Sequence, residues 1–211
     1  MHHFDQSPGE ELANSISHGI GLLAALAGAP FLIVSEVRRG DPAGIVGGSI
    51  FAATLVVLYL ASTLYHALPR NNLKRIFRTL DHGAIFLLIA GTYTPFTLGV
   101  LRGPWGWTLF GLIWGLAIAG IALKAMVGAR FPRTTTALYL IMGWLVLLAI
   151  KPIWLHVPAW GLFWLVAGGL AYTGGVAFFQ ARCLRFHHCI WHLFVLAGSA
   201  CHFAAVLWYS A

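Results

Sequence analysis

Phe186-His187-His188-Cys189-Ile190-Trp191-His192-Leu193-Phe194 opens an apolar segment that runs to the C-terminus with no charged residue after Arg185. On a helix, His188 and His192 stand four apart and project from one face. Two imidazoles at that spacing can grip one metal ion, and both are more polar than a lipid-facing surface normally carries. Histidine is also tolerated at helix ends near an interface, so the pair alone leaves the two readings level. The positions of the other polar residues decide between them.

The surrounding composition fixes the class. Of 211 residues 59% are hydrophobic and 9% charged, where a soluble domain carries about 25% charged residues. The chain reads as a polytopic membrane protein. Its net charge of +7 sits in short gaps between apolar runs, which is the pattern of loops facing anionic lipid and gives no reason to expect nucleic acid. Three cysteines, Cys183, Cys189 and Cys201, make an odd set without CxxC spacing, so no disulfide framework is implied. The N-terminal stretch 1–11 is acidic and lacks a basic n-region, so it is not expected to be a cleaved signal peptide.

Runs free of Asp, Glu, Lys and Arg cover 12–35, 43–68, 82–101, 103–123, 134–150, 152–181 and 186–211. Crossing a bilayer takes about 20 apolar residues. Six runs reach that length, the fifth is short, and 152–158 in the sixth reads as a loop ahead of a helix near 160–180. The expectation is an all-α integral membrane protein with seven transmembrane helices. It forms one domain over 1–211, with a short cytoplasmic tail over 1–11. There is no GxSxG elbow, Walker loop, dinucleotide fingerprint, internal repeat or broken-helix repeat to suggest otherwise.

The loops give an orientation. On the side of the N-terminus lie nine basic residues: Arg70, Lys74, Arg75, Arg78, Lys124, Arg130, Arg133, Arg182 and Arg185. The opposite side has four, Arg38, Arg39, Arg102 and Lys151. The positive-inside rule then puts the N-terminus in the cytoplasm and the C-terminus outside.

That orientation brings five polar residues to one depth. Ser62 and His66, four apart, end the second helix at the inner side. Asp81 begins the third helix there, and His188 and His192 begin the seventh. A carboxylate at a helix start is explained by the dipole, and a membrane serine by packing. Three histidines, an aspartate and a serine in one layer read as a site.

The chemistry suited to that set is zinc. Three neutral imidazoles with a fourth position open is the layout of a catalytic zinc, which lowers the pKa of its water to about 7. Asp81 is better cast as a partner to that water than as a ligand, although spacing alone leaves both open. Haem would need further imidazoles paired at matching depth, and these are missing. His202 lies ten residues past His192, roughly 15 Å along the axis, too far to share the ion.

At these residues the chain resembles the hemolysin III proteins, bacterial members of the progestin and adiponectin receptor family. The resemblance rests on Ser62-x-x-x-His66, on the stretch 80–95 that begins Leu80-Asp81-His82-Gly83, and on His188-x-x-x-His192 with His202-Phe203. It also includes Glu11-Leu-Ala-Asn14 and Ser17-His18-Gly-Ile-Gly21, and it covers nearly the whole chain. It implies zinc held at His66, His188 and His192, with Asp81 and Ser62 in its inner surroundings. The wider superfamily includes alkaline ceramidases, which implies amide hydrolysis on a lipid in a bacterial inner membrane. The family name implies cytolysis.

The remaining conspicuous residues have plainer readings. Trp105, Trp107, Trp154 and Trp160 read as interfacial anchors, and the Gly47-Gly48, Gly168-Gly169 and Gly174-Gly175 pairs as close helix packing. Glu11, Asn14 and His18 share a face of the first helix and read as a structural hydrogen-bond network. His82 and Cys189 point away from their neighbours Asp81 and His188. Three functions remain. One is a zinc-dependent hydrolase of a lipid amide or ester at the inner leaflet, with Asp81 managing the proton and Ser62 helping to hold the intermediate. The others are a membrane-state sensor with structural zinc, and a pore-former or cytolysin.

Overall fold

A computed structural model describes residues 6–128, 131–181 and 183–210. Arg130 and Arg182, which enter the charge count, lie outside the described residues, as do Ala211 and 1–5 of the tail. The described chain is helical throughout. Its elements are α1 (Pro8–Arg39), α2 (Pro42–Ala67), α3 (Asn72–Leu98), α4 (Pro104–Val127), α5 (Pro132–Gly143), a 3-10 turn (Leu145–Ala149), α6 (Ile150–His156), α7 (Ala159–Gln180) and α8 (His187–Tyr209). With α5, the turn and α6 taken as one broken span, there are seven helices.

Local chemistry sets the boundaries. Ser7 caps α1 in a reciprocal box with Glu10, and Gly40 ends it in the left-handed region at φ 74°. Asp41 then caps α2 with Pro42 in its first turn, which forces α1 and α2 into an antiparallel pair. Asn71 caps α3 by accepting from Lys74 N.

Six of the helices are long and apolar enough to cross a membrane: Pro8–Arg39, Pro42–Ala67, Pro104–Met126, Arg133–His156, Ala159–Gln180 and His187–Tyr209. α3 falls outside that set for a physical reason. It packs on α2 and α4 and also touches α5 and α8, and it buries Lys74, Asp81, Thr92, Thr94 and Thr97. A helix whose polar side chains are buried against its neighbours needs less lipid-compatible surface. α1 shows the opposite case, with Leu12, Ile16, Ile20 and Leu23 exposed along one stripe.

Two glycines set the α2–α3 contact. A Cβ at Gly47 would lie 2.8 Å from Pro95 Cα, and one at Gly91 would lie 2.2 Å from Thr54 Oγ1. At Gly47 only glycine lets the backbones approach this closely, and at Gly91 it leaves room for the Thr54 side chain. One apolar core is shared mainly by α1, α2, α3 and α8, and a second, around Phe86, Ile113 and Met142, joins α3, α4 and α5.

Three expectations about local structure are corrected. α3 begins nine residues before Asp81, because the basic segment reading as a loop is helical and Asn71 caps it. Asp81 is therefore not at a helix start, and the dipole does not explain it. The stretch 152–158 is mostly helix, with α6 continuing through His156. Finally, the fifth span is broken over Trp144–Ala149. There the Tyr93 hydroxyl lies 3.0 and 2.9 Å from the carbonyls of Met142 and Gly143, and it accepts from Val146 N at 2.8 Å. Freed backbone groups inside a membrane need such partners.

Candidate metal centre

α8 presents His188 and His192 one turn apart on the face that meets α1 and α2. α2 presents His66 from its last turn. The result is a triad in which one ligand atom from each of His66, His188 and His192 lies within 4.8 Å of the others. Ring centroids are 5.1 Å apart for His66–His188, 5.1 Å for His66–His192 and 4.7 Å for His188–His192. His66 and His192 are buried and His188 is half-buried.

The outer partners of the rings decide how the triad can bind. His66 Nδ1 lies 2.7 Å from Glu11 Oε2. His192 Nδ1 lies 3.2 Å from the Asn14 carbonyl and 3.0 Å from Ser17 Oγ, which itself donates to Asn14 O at 2.9 Å. A carboxylate and a carbonyl only accept, so Nδ1 donates in both rings and the Nε2 lone pair is left free. His66 Nε2 and His188 Nε2 are both buried without a hydrogen-bond partner among the described residues. Each orphaned buried acceptor costs about 1–3 kcal/mol. A divalent cation shared by three lone pairs removes that cost. Imidazoles steadied through Nδ1 by a carboxylate or carbonyl are also the usual surroundings of a bound metal. The residues fit a metal ion.

Glu11 is fixed in turn by Lys74, whose ammonium lies 3.0 Å from Glu11 Oε1 and donates to the carbonyls of Tyr65 and Leu68 at 2.8 and 3.2 Å. The α1 start, the α2 end and the α3 start are thereby tied together beside the triad. Glu10 adds α8, accepting from Phe186 N at 3.0 Å.

Asp81 is 7% exposed and lies 3.6 Å from His82 Nδ1, which donates to the Arg78 carbonyl at 2.8 Å; the expectation that His82 points away from Asp81 is corrected. Ser62 is fully buried one turn before His66, and its hydroxyl faces the Asp81 carboxylate without meeting hydrogen-bond geometry. A cavity of about 220 Å³ adjoins the site, with Asp81, His188 and His192 on its wall. Ser62 and His66 are not part of that wall. The structure brings His66, His188 and His192 together, sets Asp81 on the cavity wall with two of them, and buries Ser62 away from that wall. His202 is outside the triad, with Nε2 3.2 Å from Leu165 O.

A match to the family model described as Haemolysin-III related runs over residues 7–203. The chain belongs to that family. Its relatives include Hemolysin-3 of Bacillus cereus, 46% identical over 95% of this chain and 91% of the relative. The Hemolysin-3 homolog of Bacillus subtilis is 44% identical over 95% of this chain and 94% of the relative. Human monocyte to macrophage differentiation factor, of the progestin and adiponectin receptor family, is 28% identical over 93% of this chain and 83% of the relative. Like its bacterial relatives, this haemolysin-III-family chain is a multi-pass membrane protein.

Within this family member, the reading of Glu11 and Asn14 as a network is the one the geometry gives. Its target, the ligand rings themselves, was not visible in the sequence. His18 is different: its ring stacks on His192 at 3.5 Å and 9°, and neither nitrogen has a hydrogen-bond partner among the described residues. Ser17 carried no signal beyond its place next to His18.

Proposed function

We propose that this protein is a zinc-dependent hydrolase of a membrane-lipid amide or ester, working at the inner leaflet of a bacterial plasma membrane. In this reading all seven helices cross the bilayer, with the N-terminus cytoplasmic. The single observation that carries the proposal is the triad, with His66 Nε2 and His188 Nε2 buried and unpartnered among the described residues and with His188 and His192 on the cavity wall. Three imidazoles with no fourth protein ligand in the group among the described residues suit a zinc with an open position better than a closed structural site.

Zinc so held supplies Lewis acidity, polarising an acyl carbonyl and easing deprotonation of water. The chain supplies the rest. Asp81, buried on the cavity wall beside the triad, takes a proton from the attacking water and returns it to the leaving group. Ser62, behind Asp81, orients that carboxylate. Glu11 and the Asn14 carbonyl hold His66 and His192 in the tautomer that leaves Nε2 free. Ile85, Leu88 and Val195 on the cavity wall hold an acyl chain away from water. The orientation is supported by Arg70, Lys74, Arg75, Arg78, Lys124, Arg133 and Arg185, which lie in connections or in helix segments near them on the N-terminal side.

The test is release of fatty acid from a panel of amide- and ester-linked lipids by the purified protein, with and without added zinc. Zinc-dependent release is expected from at least one lipid. A zinc-loaded protein that hydrolyses none of them favours the sensor.

A further inference from the structure

The inner end of the cavity carries two cations against one carboxylate among the described lining residues. Lys124, in the last turn of α4, is 5% exposed and lines the cavity. Among the described residues its ammonium makes neither a hydrogen bond nor an ion pair within 4 Å. Half-buried Arg78 lines the same wall, and its guanidinium is equally unpaired. Asp81 is the only carboxylate among the described lining residues, and it lies too far from both for an ion pair.

Lys74 shows what this fold does with a buried lysine that serves structure alone. It is 1% exposed, with a carboxylate and two carbonyls around its ammonium. Lys124 has none of these. The α4 dipole favours a cation in the last turn, but it does not supply the missing acceptors. The Lys124 stem is buried while its ammonium reaches the cavity without a protein acceptor among the described residues, so a ligand in the cavity is expected to supply one.

We infer that Lys124 and Arg78 form a phosphate-binding subsite, and that the lipid held in the cavity is a phosphate-bearing glycerolipid. The inference deepens the functional reading above by naming its substrate class. It rests on the cavity accepting a membrane lipid, not on metal or turnover. Arg78 offers a planar fork and Lys124 a point charge, a pairing suited to the non-bridging oxygens of a phosphodiester. The wall then carries two separate stations, the cation pair and the Asp81–histidine group. A phospholipid can meet both at once, because its phosphate and its ester carbonyls are a few bonds apart. A free fatty acid has one polar end and no bond to cleave. A neutral lipid amide leaves the two cations unbalanced.

The experiment measures equilibrium binding of tritiated dioleoyl phosphatidylglycerol to the full-length protein in a neutral detergent. Unlabelled phosphatidylglycerol, dioleoylglycerol, oleate and inorganic phosphate serve as competitors. Phosphatidylglycerol is expected to compete fully, and the other three at least about tenfold more weakly, the loss expected when a charge-assisted contact is missing. Lys124→Met should weaken binding of the labelled lipid by about tenfold or more, and Lys124→Arg should keep it. Arg78→Gln, at a half-buried position, gives the same reading if Lys124→Met does not fold. Binding should survive when the wild-type protein is stripped of metal with a chelator, which separates this claim from the metal and from hydrolysis. The proposal is overturned by equal competition from oleate, dioleoylglycerol or inorganic phosphate. Wild-type affinity in both charge-removing variants, or no saturable binding, also overturns it.

Discussion

Glu11 Oε2 lies 2.7 Å from His66 Nδ1, joining the first turn of α1 to a candidate metal ligand 55 positions later. An acidic residue in a first turn has an ordinary role against the helix dipole, and that role would not touch metal affinity. As the acceptor that sets the His66 tautomer, Glu11 is worth about 10–100-fold in affinity. Glu11→Gln is expected to weaken zinc binding by an amount in that range, read by competition with a chromogenic chelator, while the protein stays folded. Unchanged affinity would return Glu11 to the dipole role.

Asp81 is the next test. A carboxylate at the bilayer centre costs about 2.5–3.5 kcal/mol on insertion scales, and less toward the interface. With α3 starting at Asn72 and capped by Asn71, capping offers no return for that cost. Asp81→Asn keeps the shape and removes the proton acceptor. It should retain zinc and fold and lose about 10²–10⁴-fold in hydrolysis rate, measured on whichever lipid the wild type cleaves. Wild-type turnover in that variant would remove Asp81 from the chemistry.

Tyr93 is expected to be structural. Its hydroxyl serves Met142 O, Gly143 O and Val146 N at the break in the fifth span. Tyr93→Phe leaves these groups short of a partner and should lower stability by about 1–3 kcal/mol in thermal or denaturant unfolding in detergent. Stability equal to wild type would mean that other groups satisfy the break.

The span pattern was legible because lipid-facing surface must be apolar, and charge interrupts each run. The same rule hid the first nine residues of α3, since Lys74 is buried against Glu11 and two carbonyls rather than placed in a loop. It also split the fifth span too early. Lys151 is exposed and Pro152 falls in the first turn of α6, where proline is tolerated, so neither stops the helix. The triad was legible because His188 and His192 share a face by spacing, and because Ser62 and His66 point to the same depth. Glu11 on His66, Ser17 and the Asn14 carbonyl on His192, and unpaired Lys124 on the cavity wall depend on helix–helix packing. No spacing within one segment encodes them.

Orientation can be read with the protein's own cysteines. Cys183 is exposed in the connection between α7 and α8, whereas Cys189 and Cys201 are half-buried within α8. A membrane-impermeant maleimide should label Cys183 in inverted vesicles and spare it in intact spheroplasts. Labelling in intact spheroplasts would reverse the orientation and move the site to the outer leaflet.

The central claim is that His66, His188 and His192 together hold one zinc. Zinc-edge X-ray absorption on the purified protein, alongside metal analysis, tests it most directly. The expected result is about one zinc per chain, with three imidazole nitrogens near 2.0–2.1 Å, lost in a His66→Ala, His188→Ala double variant and retained in His202→Ala. Full zinc retention in that double variant, or a sulfur-ligated spectrum in the wild type, would contradict it.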